Sequence, residues 1–128
     1  VYSYFSLMQN KGPYIFGAQT RTDRAHETLE VIRETLEQFI EDGPTDERLT
    51  ASKKNITGGF PLRTASNSNI VEYIAMMGFY DYPLDYLETF VARVNAVTAG
   101  DIRDAFRKRV NPANFLVVTV GKDDEDKE

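Results

Sequence analysis

His26 is the one histidine in the sequence, and it opens the run His26-Glu27-Thr28-Leu29-Glu30. That run matches the zinc-binding helical pattern H-E-x-x-H with its second histidine replaced by Glu30. Residues four apart share a helix face, so His26 and Glu30 can both approach one ion. A catalytic zinc, however, takes three protein ligands and keeps one position open. With no second histidine and no cysteine, the third ligand would have to be a distant carboxylate. The reading that needs no ion is a first-turn histidine on a solvated helix face beside stabilising acids. The sequence favours it, and no metal ligand is assigned in this chain.

Nucleophilic chemistry meets the same shortage. A Ser-His-Asp arrangement would have to recruit His26, and no serine stands on a sharp, glycine-flanked elbow. The absence of cysteine excludes thiolate catalysis, disulfides and cysteine-bound zinc. Gly58-Gly59 lacks the lysine and the spacing of a phosphate-cradling loop. No catalytic residue is assigned.

Two groups remain as candidate contacts. Tyr2 and Tyr4 alternate with Ser3, which puts both rings on one face of a strand, where they could line a groove and contact a substrate. The polar stretch Phe60–Asn69 joins two expected helices. Asn67 and Asn69 read as helix caps, because short amides bond local backbone. Arg63 reads as an ion-pair partner for a carboxylate of this or a partner domain. These three are assigned structural or interface roles.

The elements that must position these residues follow from periodicity. Residues 1–8 and 13–20 are rich in β-branched and aromatic types around the turn Gln9-Asn10-Lys11-Gly12, a hairpin pattern. Ala25, Leu29, Ile32, Leu36, Phe39 and Ile40 form the apolar stripe of an amphipathic helix that Asp42-Gly43-Pro44 stops. Thr45 caps a second helix, expected to bury Leu49, Ser52 and Ile56 and to run into Gly58-Gly59-Phe60-Pro61. A third starts near Ser66 and ends in Phe79–Pro83, Asp85 caps a fourth, and Thr98 with Asp101 makes a capping box for a fifth. Asn111-Pro112 breaks that helix, and Phe115–Gly121 reads as a buried strand. The order implies a two-layer α+β arrangement, with an antiparallel or mixed sheet covered on one face by a helix cluster.

The 128-residue length suits one compact domain or a large fragment of one, taken here as residues 1–121 followed by an acidic, disordered tail over 122–128. The opening Val1–Phe5 reads as the middle of a strand, so the chain is expected to be cut from a longer protein. A net charge of −5 argues against a nucleic-acid partner. The basic residues Arg103, Arg107, Lys108 and Arg109 read as a solvated helix face. No apolar run approaches the roughly 20 residues that cross a bilayer, so no membrane partner is expected.

Several runs resemble the pitrilysin/insulinase family of zinc peptidases. Gly43-Pro44-Thr45-Asp46-Glu47-Arg48-Leu49 with Ala51-Ser52-Lys53 is similar to the family passage G-P-T-x-E-E-L-x-x-A-K. Gly59-Phe60-Pro61-Leu62-Arg63 with Ser66-Asn67 resembles the form in bacterial members, above all their inactive partner subunits. Tyr80-Asp81-Tyr82-Pro83-Leu84-Asp85-Tyr86-Leu87 is similar to Y-x-L-P-x-D-Y-L. Val97-Thr98-Ala99-Gly100-Asp101-Ile102 resembles V-T-x-x-D-V, and Val118-Thr119-Val120-Gly121 resembles the closing V-x-V-G. The likeness runs from about Val1 to Gly121.

The resemblance implies the C-terminal part of a non-catalytic half. In such proteins two homologous α+β halves close around unfolded peptides. One half holds zinc through H-x-x-E-H and a downstream Glu, while the other supplies an Arg…Tyr pair directed at the substrate backbone. Neither motif is present in this sequence, so neither is carried over to any residue. The expected cofactor is therefore none in this chain, with zinc only in the partner half. The expected partners are that zinc-bearing half, on the same chain or a separate subunit, and a peptide substrate. The chain alone is not expected to be an enzyme; an alternative within the family is a purely structural or assembly subunit. A periplasmic location is the family-level expectation.

Overall fold

The computed structural model describes residues 1–121, so the acidic tail expectation lies outside the described residues. The described residues form two compact units, one made of Val1–Gly43 with the chain from Arg103 onward, the other of Pro44–Ile102.

The first unit begins with strands β1 (Tyr2–Phe5) and β2 (Tyr14–Gly17), paired antiparallel with Tyr2 opposite Gly17 and Phe5 opposite Tyr14. They are shorter than the expected strands, because pairing stops one bond beyond Phe5, where the Ser6 N–H donates to the Pro13 carbonyl at 2.9 Å. Gly12 allows the chain to return so tightly, since a Cβ there would fall 1.8 Å from the Ser6 carbonyl oxygen. A short 3₁₀ turn at Thr22–Arg24 leads into α1 (Ala25–Asp42). As its spacing predicts, α1 ends at Gly43, whose φ of 75° lies in the left-handed region that glycine adopts without steric cost.

The apolar face of α1 meets an aromatic cluster. Phe5 and Tyr14 stack at 4.2 Å, and the edge of Phe106 reaches Phe5, Tyr14 and Phe39 at 5.7, 5.5 and 4.9 Å. Aromatic edge-to-face contacts of this kind each add about 1 kcal/mol beyond burial. Leu36 is buried beneath, at 4 % exposure.

In the second unit α2 (Asp46–Arg63) is capped by Thr45, whose Oγ1 accepts from the Arg48 N–H at 3.3 Å. The inward residues of α2 are Leu49, Lys53, Thr57 and Phe60, all half-buried, whereas Ser52 and Ile56 are exposed, contrary to the expected stripe. The long-range contacts decide this. Lys53 Nζ donates to the Asn95 carbonyl of α4 (Tyr86–Ala96) at 2.8 Å, and Phe60 stacks on Phe90 of that helix at 4.4 Å. The same contacts carry α2 through Gly58-Gly59 and Pro61, where the sequence leads one to expect its end. Pro61 removes one ladder bond, and the Thr64 hydroxyl closes the last turn by donating toward the Phe60 and Pro61 carbonyls at 3.4 and 3.3 Å. The expected linker Phe60–Asn69 therefore shrinks to Thr64–Ser66.

Helix α3 (Asn67–Phe79) is capped by Ser66, whose Oγ accepts from the Asn69 N–H at 3.2 Å. Asp85 holds the N-terminal position of α4, but it caps through its backbone carbonyl, which accepts from the N–H and the hydroxyl of Thr89, both at 2.9 Å. The capping box of α5 (Ala99–Arg109) is complete. Thr98 Oγ1 accepts from the Asp101 N–H at 3.1 Å, and Asp101 Oδ2 accepts from the Thr98 N–H at 2.8 Å.

The expected final strand is a correction. Beyond a 3₁₀ turn at Pro112–Asn114, residues 115–121 pair with no strand, and β1 and β2 make the one sheet among the described residues. A β-forming composition becomes a strand only against a neighbouring backbone, and no described segment offers one. The class is α+β, with its sheet pairing antiparallel.

Candidate functional site

The two tyrosines of β1 form the first part of the candidate site. Alternation puts Ser3 and Phe5 on the sheet face that carries Tyr14 and Phe16, while Tyr2 and Tyr4 fall on the opposite face. Tyr14 donates its hydroxyl to Ser3 Oγ at 3.1 Å. The Tyr2 and Tyr4 rings stack at 6.2 Å and stay 60 % and 50 % exposed. Tyr2 also lies over its cross-strand partner, since a Cβ on Gly17 would come within 2.2 Å of Tyr2 Cζ. Glycine at position 17 thus gives the ring its place.

Beside this strand opens a groove of about 870 Å³, walled by Tyr14 and Phe16 of β2, by Val31, Leu36 and Phe39 of α1, and by Phe106 of α5. Tyr2 is on its lining and Tyr4 is not. Arg24 and Glu27, which pair with each other, are polar groups on that lining. The sequence offers Tyr2 and Tyr4 as groove-lining residues but not the groove's α1 wall, although Thr28, Val31 and Thr35 recur at helical spacing beside the buried stripe and mark this second face of α1.

The remaining residues singled out from the sequence stand apart from the groove. His26 Nε2 lies 3.3 Å from Glu30 Oε1 on the exposed first turns of α1. Among the described residues no group of three or more His, Cys, Asp or Glu side chains could hold a metal ion. Arg63 is exposed in the last turn of α2, where a cation suits the negative end of the helix dipole, and it meets no carboxylate at ion-pair distance among the described residues. Asn67 and Asn69 occupy the first turn of α3, and the capping side chain is the neighbouring Ser66. Arg107, expected on a solvated face, instead donates from Nε to the Ile40 carbonyl at 3.1 Å and from Nη2 to the Glu41 carbonyl at 2.7 Å.

Two titrations are displaced. The Thr98 hydroxyl and N–H hold the Asp101 carboxyl below the usual carboxylate range, with Lys53 adding to the effect. Burial pushes the Tyr86 hydroxyl up and neighbouring Tyr82 adds to this, against the opposing charge of Arg93, whose guanidinium sits 5.5 Å from the Tyr86 ring centre.

Comparison with known proteins places these elements. Residues 1–56 match the family model of the peptidase M16 inactive domain. The crystal structure of a peptidase M16 inactive domain from Pseudomonas fluorescens is similar over 87 % of this chain, with a TM-score of 0.79 and 34 % identity. By these matches the chain is similar in sequence and fold to peptidase M16 inactive domains. The pitrilysin/insulinase resemblance and the α+β class agree with that similarity. A Helicobacter pylori protein described as the non-peptidase homolog YmxG is 23 % identical over 109 residues, 84 % of this chain. The chain spans about a quarter of the length of these relatives, 26 % of the solved chain and 25 % of the Helicobacter protein. No helix among its described residues is long and apolar enough to cross a membrane.

Proposed function

We propose that this chain forms part of the substrate-clasping wall of a two-half M16 peptidase, in which a homologous half carries the zinc and this one carries none. The observation that carries the reading is the stacked, exposed Tyr2–Tyr4 pair on a strand whose outer edge pairs with no strand among the described residues, beside an apolar groove. An unfolded peptide can add to such an edge by main-chain hydrogen bonds while aromatic faces hold its side chains. A wall of this kind does no chemistry. It raises the local concentration and fixes the register of the peptide that another centre cleaves.

The name of the Helicobacter relative, a non-peptidase homolog, favours a second reading, a structural subunit with no part in hydrolysis. One experiment separates the two. The full-length parent is combined with a zinc-bearing M16 half, and cleavage of an unstructured peptide is followed with wild type and with the double variant Tyr2→Ala, Tyr4→Ala. Two lost aromatic contacts of about 1 kcal/mol each raise KM by roughly 30-fold with kcat little changed. Unchanged KM, or activity indifferent to the presence of this protein, overturns the clasping reading in favour of the structural one.

A further inference from the structure

Tyr2 and Tyr4 are next-but-one neighbours on β1, with ring centres 6.2 Å apart and ring planes 20° from parallel. An extended chain repeats its side chains on one sheet face about every 7 Å, twice its rise per residue. The spacing of the two rings therefore approximates the side-chain repeat of a strand laid beside them. Ser3, between them, points to the opposite face, where it accepts from the Tyr14 hydroxyl at 3.1 Å.

On the β2 side, Gly17 stands opposite Tyr2 and Ile15 opposite Tyr4. A Cβ on Gly17 would lie 2.2 Å from Tyr2 Cζ and 2.4 Å from its hydroxyl oxygen, so the ring leans over β2 onto the glycine. Tyr2 nevertheless stays 60 % exposed, and Tyr4 50 %. Because Tyr2 leans away from the outer edge of β1, a short side chain at that edge falls short of the ring. An aromatic one has the reach, as it does toward diagonal neighbours in a sheet.

We infer that this face selects extended peptide segments carrying aromatic side chains at two positions, i and i+2, one set against Tyr2 and the other against Tyr4. The inference rests on the clasping reading and names the substrate class for it. Aromatic pairs on neighbouring strands are among the favourable cross-strand combinations, and they form only between side chains on the same face. A pair at i and i+3 cannot meet both tyrosines, because alternation turns one of its rings to the Ser3 face. Gly17 is a positioning residue here, acting through the tilt it allows Tyr2.

The test combines the full-length parent with a zinc-bearing M16 half and two unstructured peptides of identical composition and identical cleaved segment. One carries its two phenylalanines at i and i+2, the other at i and i+3. The first is expected to show a KM about fivefold lower, the worth of one aromatic pair, with kcat alike. Tyr2→Ala and Gly17→Ala are each expected to bring the KM ratio to one, by removing or displacing the ring, and Tyr2→Phe to preserve it. A wild-type ratio near one, with KM still raised by the Tyr2→Ala, Tyr4→Ala double variant, overturns the inference and leaves the clasping reading standing. KM unmoved by both the spacing and the double variant overturns the two together. A ratio that persists in Tyr2→Ala, or in a folded Gly17→Ala, also overturns the inference, because the spacing would then be read elsewhere. If Gly17→Ala does not fold, Tyr2→Ala, at an exposed position, decides.

Discussion

The Arg107 guanidinium donates to the carbonyl of Glu41, 66 positions away in sequence, at 2.7 Å, and to the Ile40 carbonyl at 3.1 Å, closing the C-terminus of α1. The last carbonyls of a helix have no partner within it, and a cation there also opposes the negative end of the dipole. The Gly43 N–H takes the Phe39 carbonyl, and Arg107 takes the two that follow.

Replacing this guanidinium should therefore loosen the packing of α5 on α1. Arg107→Ala is expected to cost about 1 kcal/mol, the lower end for a charge-assisted pair because the site is exposed. Arg107→Lys, with a single point of donation, should recover part of the loss. Chemical denaturation of the full-length protein measures both.

Phe60→Ala removes the stack on Phe90 and the edge contact to Tyr73. For a half-buried ring the expected loss is about 2 kcal/mol, below the range for fully buried phenylalanine. The helix turn at Gly58–Arg63 should fray at the same time, because its glycines and Pro61 give it little helical preference of their own. Faster amide exchange confined to that turn would show it.

Gly12→Ala places a methyl group against the Ser6 carbonyl oxygen. The hairpin must open or shift to admit it, at a cost of about 1–3 kcal/mol. Lost protection of the Ser6 amide, in exchange experiments on the variant, is the specific readout.

The Thr98–Asp101 box carries a pH signature. The folded carboxyl titrates below its ordinary value of 3.8, so the box stabilises α5 above that pH, and the contribution fades as pH falls through the lower, folded value. Thr98→Ala should return the Asp101 titration, followed by carboxyl NMR, toward the ordinary value. An Asp101 titration unmoved by that change would contradict the assigned cause.

Tyr86 should behave in the opposite sense. Its hydroxyl titrates above the ordinary 10.0, chiefly through burial, so the folded state favours the neutral phenol. Stability from this site is fully present below pH 10.0 and is lost as pH rises through the folded value. Spectrophotometric titration of wild type against Tyr86→Phe isolates the titration of this tyrosine.

Much of the helical framework was legible because its signals are local. The stripe from Ala25 to Ile40, the stop at Gly43, the Thr45 cap and the Thr98–Asp101 box each involve residues within about one or two turns, where backbone geometry brings them together whatever the rest of the chain does. Asn67 and Asn69 show the limit of this: the cap fell to adjacent Ser66, a choice among neighbouring side chains that composition alone leaves open.

The rest required distant partners. Whether α2 continued through Gly58-Gly59-Phe60-Pro61 was settled by Phe90, and whether Arg107 was a solvated cation or a helix cap was settled by α1. The groove beside Tyr2 is walled jointly by the hairpin, α1 and Phe106 of α5, a juxtaposition no run of residues encodes. The sequence by itself determined where the helices start and where α1 stops, the α+β class, and the lack of histidine and cysteine ligands for a metal. Tertiary structure alone decided which helix faces are covered and whether a β-forming segment such as Phe115–Gly121 is a strand. A helix satisfies its hydrogen bonds within itself, whereas a strand and a buried face are relations between segments, defined only once both are in place.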